Sequence, residues 1–330
     1  SVDLNYTPIK NLYFNATIGI DQYDFREEQL YPYGYYYAFT GDSGEKDLSQ
    51  VTTNQINGQW NVSYTYVPYV KNLIITSAVG GTYFDRKYRN FWLSKQGFVT
   101  DLITNFGAAS TYYDADDDFT HARRFSLLTS HQFSYLDQYF ATLVLRKEYA
   151  SAIGEEAPSI FYPNATFAVR LDKYDFFPEF FDIMKIRGGY GESGILPAAT
   201  DAIPFLWTSE KSGFGVGAVT SSIGNAEIEP ERIKEIEVGF DAEFGNYAVE
   251  FTYYNQKAEN SIIDYEKAPS TGLTASDVPV NIGKMKGWGL EALLRGRPIM
   301  MKNLMIDFTL THSYQDNEVV LRTRSKGCFI

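Results

Sequence analysis

The chain has 330 residues, a formal net charge of −12, and 16% aromatic residues, with 26 Tyr and 24 Phe. That acidity excludes a nucleic-acid partner, which demands a basic footprint. Mean hydropathy is −0.27, and no apolar run approaches the roughly 18 residues of a spanning helix, so a helical membrane protein is excluded too. A single cysteine, Cys328, rules out an internal disulfide framework, and His121, His131 and His312 show no metal-ligand spacing.

In chain order, period-2 alternation begins at the first residue and predicts about twelve strands. They cover 1–8, 11–25, 52–67, 71–85, 120–135, 139–152, 159–173, 183–192, 230–244, 246–258, 281–296 and 302–316. In the second strand Leu12, Phe14, Ala16, Ile18 and Ile20 share one face, while Tyr13, Asn15, Thr17, Gly19 and Asp21 share the other. Trp60, Val62, Tyr64 and Tyr66 oppose Asn61, Ser63 and Thr65, and Ile236, Val238 and Phe240 oppose Glu235, Glu237 and Asp241. A recurring punctuation, Pro8-Ile-Lys10-Asn11, Pro68-Tyr-Val-Lys71-Asn72 and Pro298-Ile-Met-Met-Lys302-Asn303, reads as tight turns. Proline fixes φ and ends a strand, and asparagine tolerates the left-handed geometry of a short turn.

The connections alternate between two classes. Short ones follow Tyr6, Tyr66, Tyr135, Phe244 and Arg295, with a slightly longer one at Asp175–Asp182; long polar ones cover 26–51, 86–119, 193–229 and 259–280. This asymmetry, with one apolar and one polar face per strand, predicts an all-β, antiparallel up-and-down transmembrane barrel with short periplasmic turns and long extracellular loops. An open sheet edge cannot face lipid, and the tail Leu321–Ile330 lacks alternation. Residues 1–330 therefore read as one partial barrel domain, with the final strands outside this chain.

Candidate binding residues lie in the long connections and near their ends. Trp92 and Trp207 offer rings for stacking on sugars or peptides, and Tyr190 stands near the outer end of its strand. Asp116, Asp117 and Asp118 form an acidic run that suits Ca²⁺, a hard cation taking several carboxylates; the plainer reading is a solvated outer loop. No nucleophile accompanies the histidines in a recognisable context, so an enzyme is not expected. A membrane-barrel hydrolase would have to use His121 or His131.

Three stretches carry a specific resemblance. The first is Phe161-Tyr-Pro-Asn-Ala-Thr-Phe-Ala-Val-Arg-Leu171 with Phe176-Phe177-Pro178 and Met184-Lys-Ile-Arg-Gly-Gly-Tyr-Gly-Glu-Ser-Gly194. The second is Ile223-Gly-Asn-Ala-Glu-Ile-Glu-Pro-Glu-Arg-Ile-Lys-Glu-Ile-Glu-Val-Gly-Phe-Asp241, and the third Val280-Asn-Ile-Gly-Lys-Met-Lys-Gly-Trp-Gly-Leu-Glu-Ala292. In this order and spacing they resemble the SusC/RagA group of TonB-dependent outer-membrane transporters. The resemblance implies a full barrel of about 22 strands around an N-terminal plug, with the plug and its energy-coupling box outside this chain. It further implies active import of oligosaccharides or oligopeptides, a SusD-like surface lipoprotein as partner, and energy from the TonB complex. The location it implies is the outer membrane of a Gram-negative, Bacteroidota-type bacterium. The competing function is a passive porin without energy coupling.

Overall fold

The structure is a computed structural model that describes residues 1–35, 43–203, 206–212, 215–268, 270 and 277–322. Twelve strands form one antiparallel sheet in which sequence neighbours are spatial neighbours. They are β1 (Val2–Ile9), β2 (Leu12–Tyr31), β3 (Glu45–Tyr66), β4 (Leu73–Gln96), β5 (Thr111–Tyr135), β6 (Tyr139–Ala150), β7 (Ile160–Arg170), β8 (Ile183–Ile195), β11 (Glu231–Phe244), β12 (Tyr247–Glu266), β13 (Asp277–Met301) and β14 (Leu304–Arg322). Among the described residues two further strands, β9 (Leu206–Ser212) and β10 (Gly215–Ser222), pair with each other in a separate sheet. Among the described residues no helix is long and apolar enough to cross a membrane, which leaves strand crossing untouched.

Contacts divide the chain into two compact units. One comprises Ser1–Asp3, Thr17–Gln59 and Thr82–Arg124; the other comprises Leu4–Ala16, Trp60–Gly81 and Phe125–Ile330. In the first unit polar side chains link the strands: Thr17 Oγ1 donates to Asp3 Oδ1 at 2.6 Å, and Asn57 Nδ2 to Asp21 Oδ2 at 3.4 Å. The second unit holds the whole of β6–β14 and the short turns, while the long connections preceding β3 and β5 belong to the first.

Turn chemistry follows from the sequence at two of the three punctuated sites. Asn11 and Asn72 adopt φ of 67° and 62°, the left-handed region that asparagine tolerates best after glycine. Gly245, at φ 55°, turns the chain between β11 and β12. The third site differs from expectation. Strand β13 continues through Pro298 to Met301, and only Lys302 and Asn303 form the turn. Pro298 sits in the register shift between Gly296 and Ile299, where the ladder lacks a bond for proline to break.

The long connections are shorter than expected because strands extend into them. β2, β3, β4 and β5 run 20, 22, 24 and 25 residues, far beyond the roughly 9–11 residues that cross a bilayer. Between β4 and β5 only residues 97–110 remain outside strands, including a 3-10 turn at Phe106–Ala108. The segment read as a loop at 193–229 contains the β9–β10 hairpin. The last eight residues of the non-alternating tail, 323–330, lie outside the described residues.

The stretch before β11 is pinned rather than loose. Ile228 is fully buried, and its carbonyl accepts from the Gly154 amide at 3.0 Å. Asn281 Oδ1 accepts from the Glu229 amide at 2.9 Å, while its Nδ2 donates to the carbonyls of Glu229 at 2.7 Å and Asn260 at 2.9 Å. Asn225 Nδ2 donates to the Pro279 carbonyl at 3.2 Å, so Asn225, Glu229 and Asn281 of the second and third stretches together hold the chain as it enters the sheet.

Candidate functional site

Register across β6–β14 sorts side chains onto two faces. On one, rows run Val169–Ile186–Phe240–Phe251–Ala292 and Phe167–Gly188–Val238–Tyr253–Leu290. Aromatic rings border this apolar face. Near the short turns Phe180, Phe244, Tyr247 and Phe308 follow one another at centroid spacings of 5.1, 5.8 and 6.5 Å. Six residues farther along β14, roughly 20 Å of strand, Tyr253, Trp288 and Tyr314 form a second row at 6.4 and 5.4 Å. Two aromatic girdles enclosing an apolar band are the lipid-facing wall of a membrane barrel.

The opposite face is polar and forms the candidate site. Asp241 accepts from Lys185 at 2.6 Å and Arg187 at 3.1 Å, Arg187 Nη2 also donates to Thr252 Oγ1 at 2.6 Å, and Arg295 pairs with Glu250 at 2.7 Å. Beyond these pairs, Glu235 and Glu237 lie two positions apart on β11 and Glu291 on β13, and none of the three enters an ion pair among the described residues. Glu235 and Glu237 line an open concavity of about 340 Å³ together with Asn164, Thr166, Ser193 and Gln256.

Glycines on both faces are slots filled by a neighbour. A Cβ at Gly188 would meet the Phe167 ring at 2.7 Å, and one at Gly289 the Tyr254 ring at 2.5 Å. Gly191 and Gly287 are covered by the amides of Asn164 and Asn317 in the same way. Close approach by a side chain of the adjacent strand explains these glycines, and no outside segment is needed for it.

At the turn between β7 and β8, Arg170 Nη2 donates to Asp172 Oδ2 at 2.6 Å and the Met184 amide to Asp172 Oδ1 at 3.1 Å. Burial pushes the Asp172 carboxyl up, but these donors outweigh it and hold the group below the usual carboxylate range.

The sequence candidates lie on four different strands. Trp92 is half-buried within β4, not in a loop, and Trp207 lies on the β9–β10 hairpin, 65% exposed and opposite Thr220. Tyr190 pairs in register with Ile236 and Ala165 on the apolar face, and its hydroxyl donates to Glu192. Register thus groups Tyr190 with the apolar rows, while the residue also borders the concavity that Glu235 and Glu237 line. Asp116, Asp117 and Asp118 are consecutive in β5, so alternation sends Asp117 opposite to its neighbours. Asp117 accepts Arg89 Nε at 2.8 Å, and among the described residues no three His, Cys, Asp or Glu side chains could hold a metal. His121 contacts Asp85 at 3.1 Å and His131 contacts Ser77 at 2.9 Å; serine and carboxylate belong to different histidines. The glutamates at 235, 237 and 291 were missed as a site because alternation flags a polar face without saying which charges go unpaired.

The family model described as TonB dependent receptor-like, beta-barrel, matches residues 1–327. No curated relative matches the sequence. Among solved structures, the RagAB peptide transporter aligns with a TM-score of 0.86 at 17% identity, covering 96% of this chain and 35% of that one. The outer membrane transporter YddB from Escherichia coli aligns at 0.63 and 13% identity, over 96% of this chain and 41% of that one. This chain thus spans little more than a third of the RagAB relative, and at these identities the likeness is one of fold. TonB-dependent receptor barrels are outer-membrane proteins, and the chain belongs to the TonB dependent receptor-like β-barrel family.

Proposed function

We propose that this chain is the barrel part of an active outer-membrane importer of oligopeptides or oligosaccharides, of SusC type. The observation that carries this reading is the two-faced sheet: an apolar face edged by two aromatic rows, backed by a polar face with three unpaired glutamates. The carboxylates favour a peptide with basic or amide groups over an acidic glycan, in keeping with the RagAB neighbours described as peptide importers. Trp207, exposed on the β9–β10 hairpin, and Trp92 are the proposed aromatic contacts for cargo. A SusD-like surface lipoprotein and the TonB complex are the proposed partners, the latter engaged through parts outside this chain. The proposed host is a Bacteroidota-type bacterium.

The test is uptake of fluorescent oligopeptides and oligosaccharides by cells carrying or lacking the complete gene, with and without a proton uncoupler. Uncoupler-sensitive uptake of one class that disappears with the gene is expected. Uptake that persists under uncoupler would favour a passive pore.

A further inference from the structure

Just beyond the second aromatic row, on the same face as Tyr253 and Trp288, three lysines stand side by side. Register places Lys234 of β11 opposite Lys257 of β12, and Lys257 opposite Lys286 of β13. One row farther out lie Arg232, Glu259 and Lys284. Like charges directly across strands destabilise a sheet, so such a row is costly unless something anionic offsets it.

The acidic residues present do not do so fully. Glu259 takes Lys234 at 2.5 Å and Glu192 takes Arg232 at 2.6 Å. Lys257, Lys284 and Lys286 are exposed and enter no ion pair among the described residues. Glu318 faces Lys286 in register without a salt bridge. The patch therefore keeps free positive charge in an otherwise acidic chain.

Its position decides the ligand. Lys286 and its partner Lys257 stand two residues beyond the Trp288 row, about 7 Å along the strand, and Lys284 four, about 14 Å, all on the side away from the short turns. With those turns in the periplasm, this is the headgroup level of the outer leaflet, and amphipathic rings beneath mark the acyl boundary. We propose that Lys257, Lys284 and Lys286 form a docking site for the phosphate groups of an outer-leaflet glycolipid, whose acyl chains run down the Tyr253–Trp288–Tyr314 row. The site rests on the outer-membrane orientation of the proposed function, but not on transport.

The experiment uses the complete natural protein in nanodiscs containing a bisphosphorylated lipid A-type glycolipid or its dephosphorylated form. Retained glycolipid is counted by native mass spectrometry. For the triple variant Lys257→Gln, Lys284→Gln, Lys286→Gln, affinity for the phosphorylated form falls roughly 100-fold, while Lys302→Gln at the opposite end retains it. Wild-type affinity weakens with added salt. Because the three lysines are exposed, the triple variant is expected to keep the heat-modifiable gel shift of a closed barrel, which checks its folding. Equal retention by variant and wild type, equal retention of the dephosphorylated form, or a change only in oligomeric state would each overturn the assignment, the last pointing to a second copy of the protein. Loss of uptake with glycolipid binding intact would reject the transport reading alone.

Discussion

The two faces of the β7–β14 sheet solve one backbone problem with different chemistry. On the apolar face Gly188 and Gly296 accommodate the rings of Phe167 and Phe308; on the polar face Gly191, Gly287 and Gly289 accommodate Asn164, Asn317 and Tyr254. The apolar covers are exposed, Phe167 by 59%, and in a bilayer they turn aside into lipid at little cost. The polar face is cross-linked by Lys185, Arg187, Asp241 and Thr252, so a change there propagates across three strands. The apolar face is held by area and the polar face by connection.

The hardest test of that contrast is Gly239→Ala. Its Cβ would lie 2.5 Å from the Phe251 carbonyl oxygen and 3.1 Å from Arg187 Cζ, and backbone cannot step aside. A cost of about 1–3 kcal/mol is expected, read as a lower urea midpoint for loss of the heat-modifiable band. Next comes Arg187→Met, which leaves Asp241 to Lys185 alone; with both side chains partly exposed, at 30% and 22%, the loss is about 1 kcal/mol. A double-mutant cycle with Thr252→Val checks it, and additive effects would deny the connection. On the other face Gly188→Ala is expected to cost less than about 1 kcal/mol, because the Phe167 ring can rotate away. A penalty equal to that of Gly239→Ala would erase the distinction between the faces.

The smallest effect is pH-dependent and lies at the β7–β8 turn. The Asp172 carboxyl is held below its ordinary range, so its contribution is fully present above the unfolded value near pH 4 and is lost as pH falls through the lower native value. Asp172→Asn is expected to flatten the acid limb of the stability profile. An unchanged limb would show that this ion pair is inert.

The same contrast explains how much was legible in advance. The apolar face was readable residue by residue, because burial in lipid imposes strict alternation: Val249, Phe251 and Tyr253 fall in one row set as expected. The twelve-strand count and the left-handed Asn11 and Asn72 were legible for similarly local reasons. Strand length was not. Past Ile20, β2 reads Asp-Gln-Tyr-Asp-Phe-Arg-Glu-Glu, and a strand with water on both faces has no hydrophobic period to announce it. The aspartates at 116–118 were misplaced in a loop for the same reason. Tyr190 was assigned by proximity to a loop, whereas only register with Ile236 shows its face. Which glutamates stay unpaired depends on partners from other strands, and no single segment encodes that.

The filled glycine slots leave the lining adjustable while the backbone behind it stays fixed. Where Tyr254 lies over Gly289 and Asn317 over Gly287, the local relief of the polar face is set by the rotamers of a ring and an amide. Swinging one side chain out of its slot changes that relief by the thickness of a side chain while every backbone hydrogen bond stays in place.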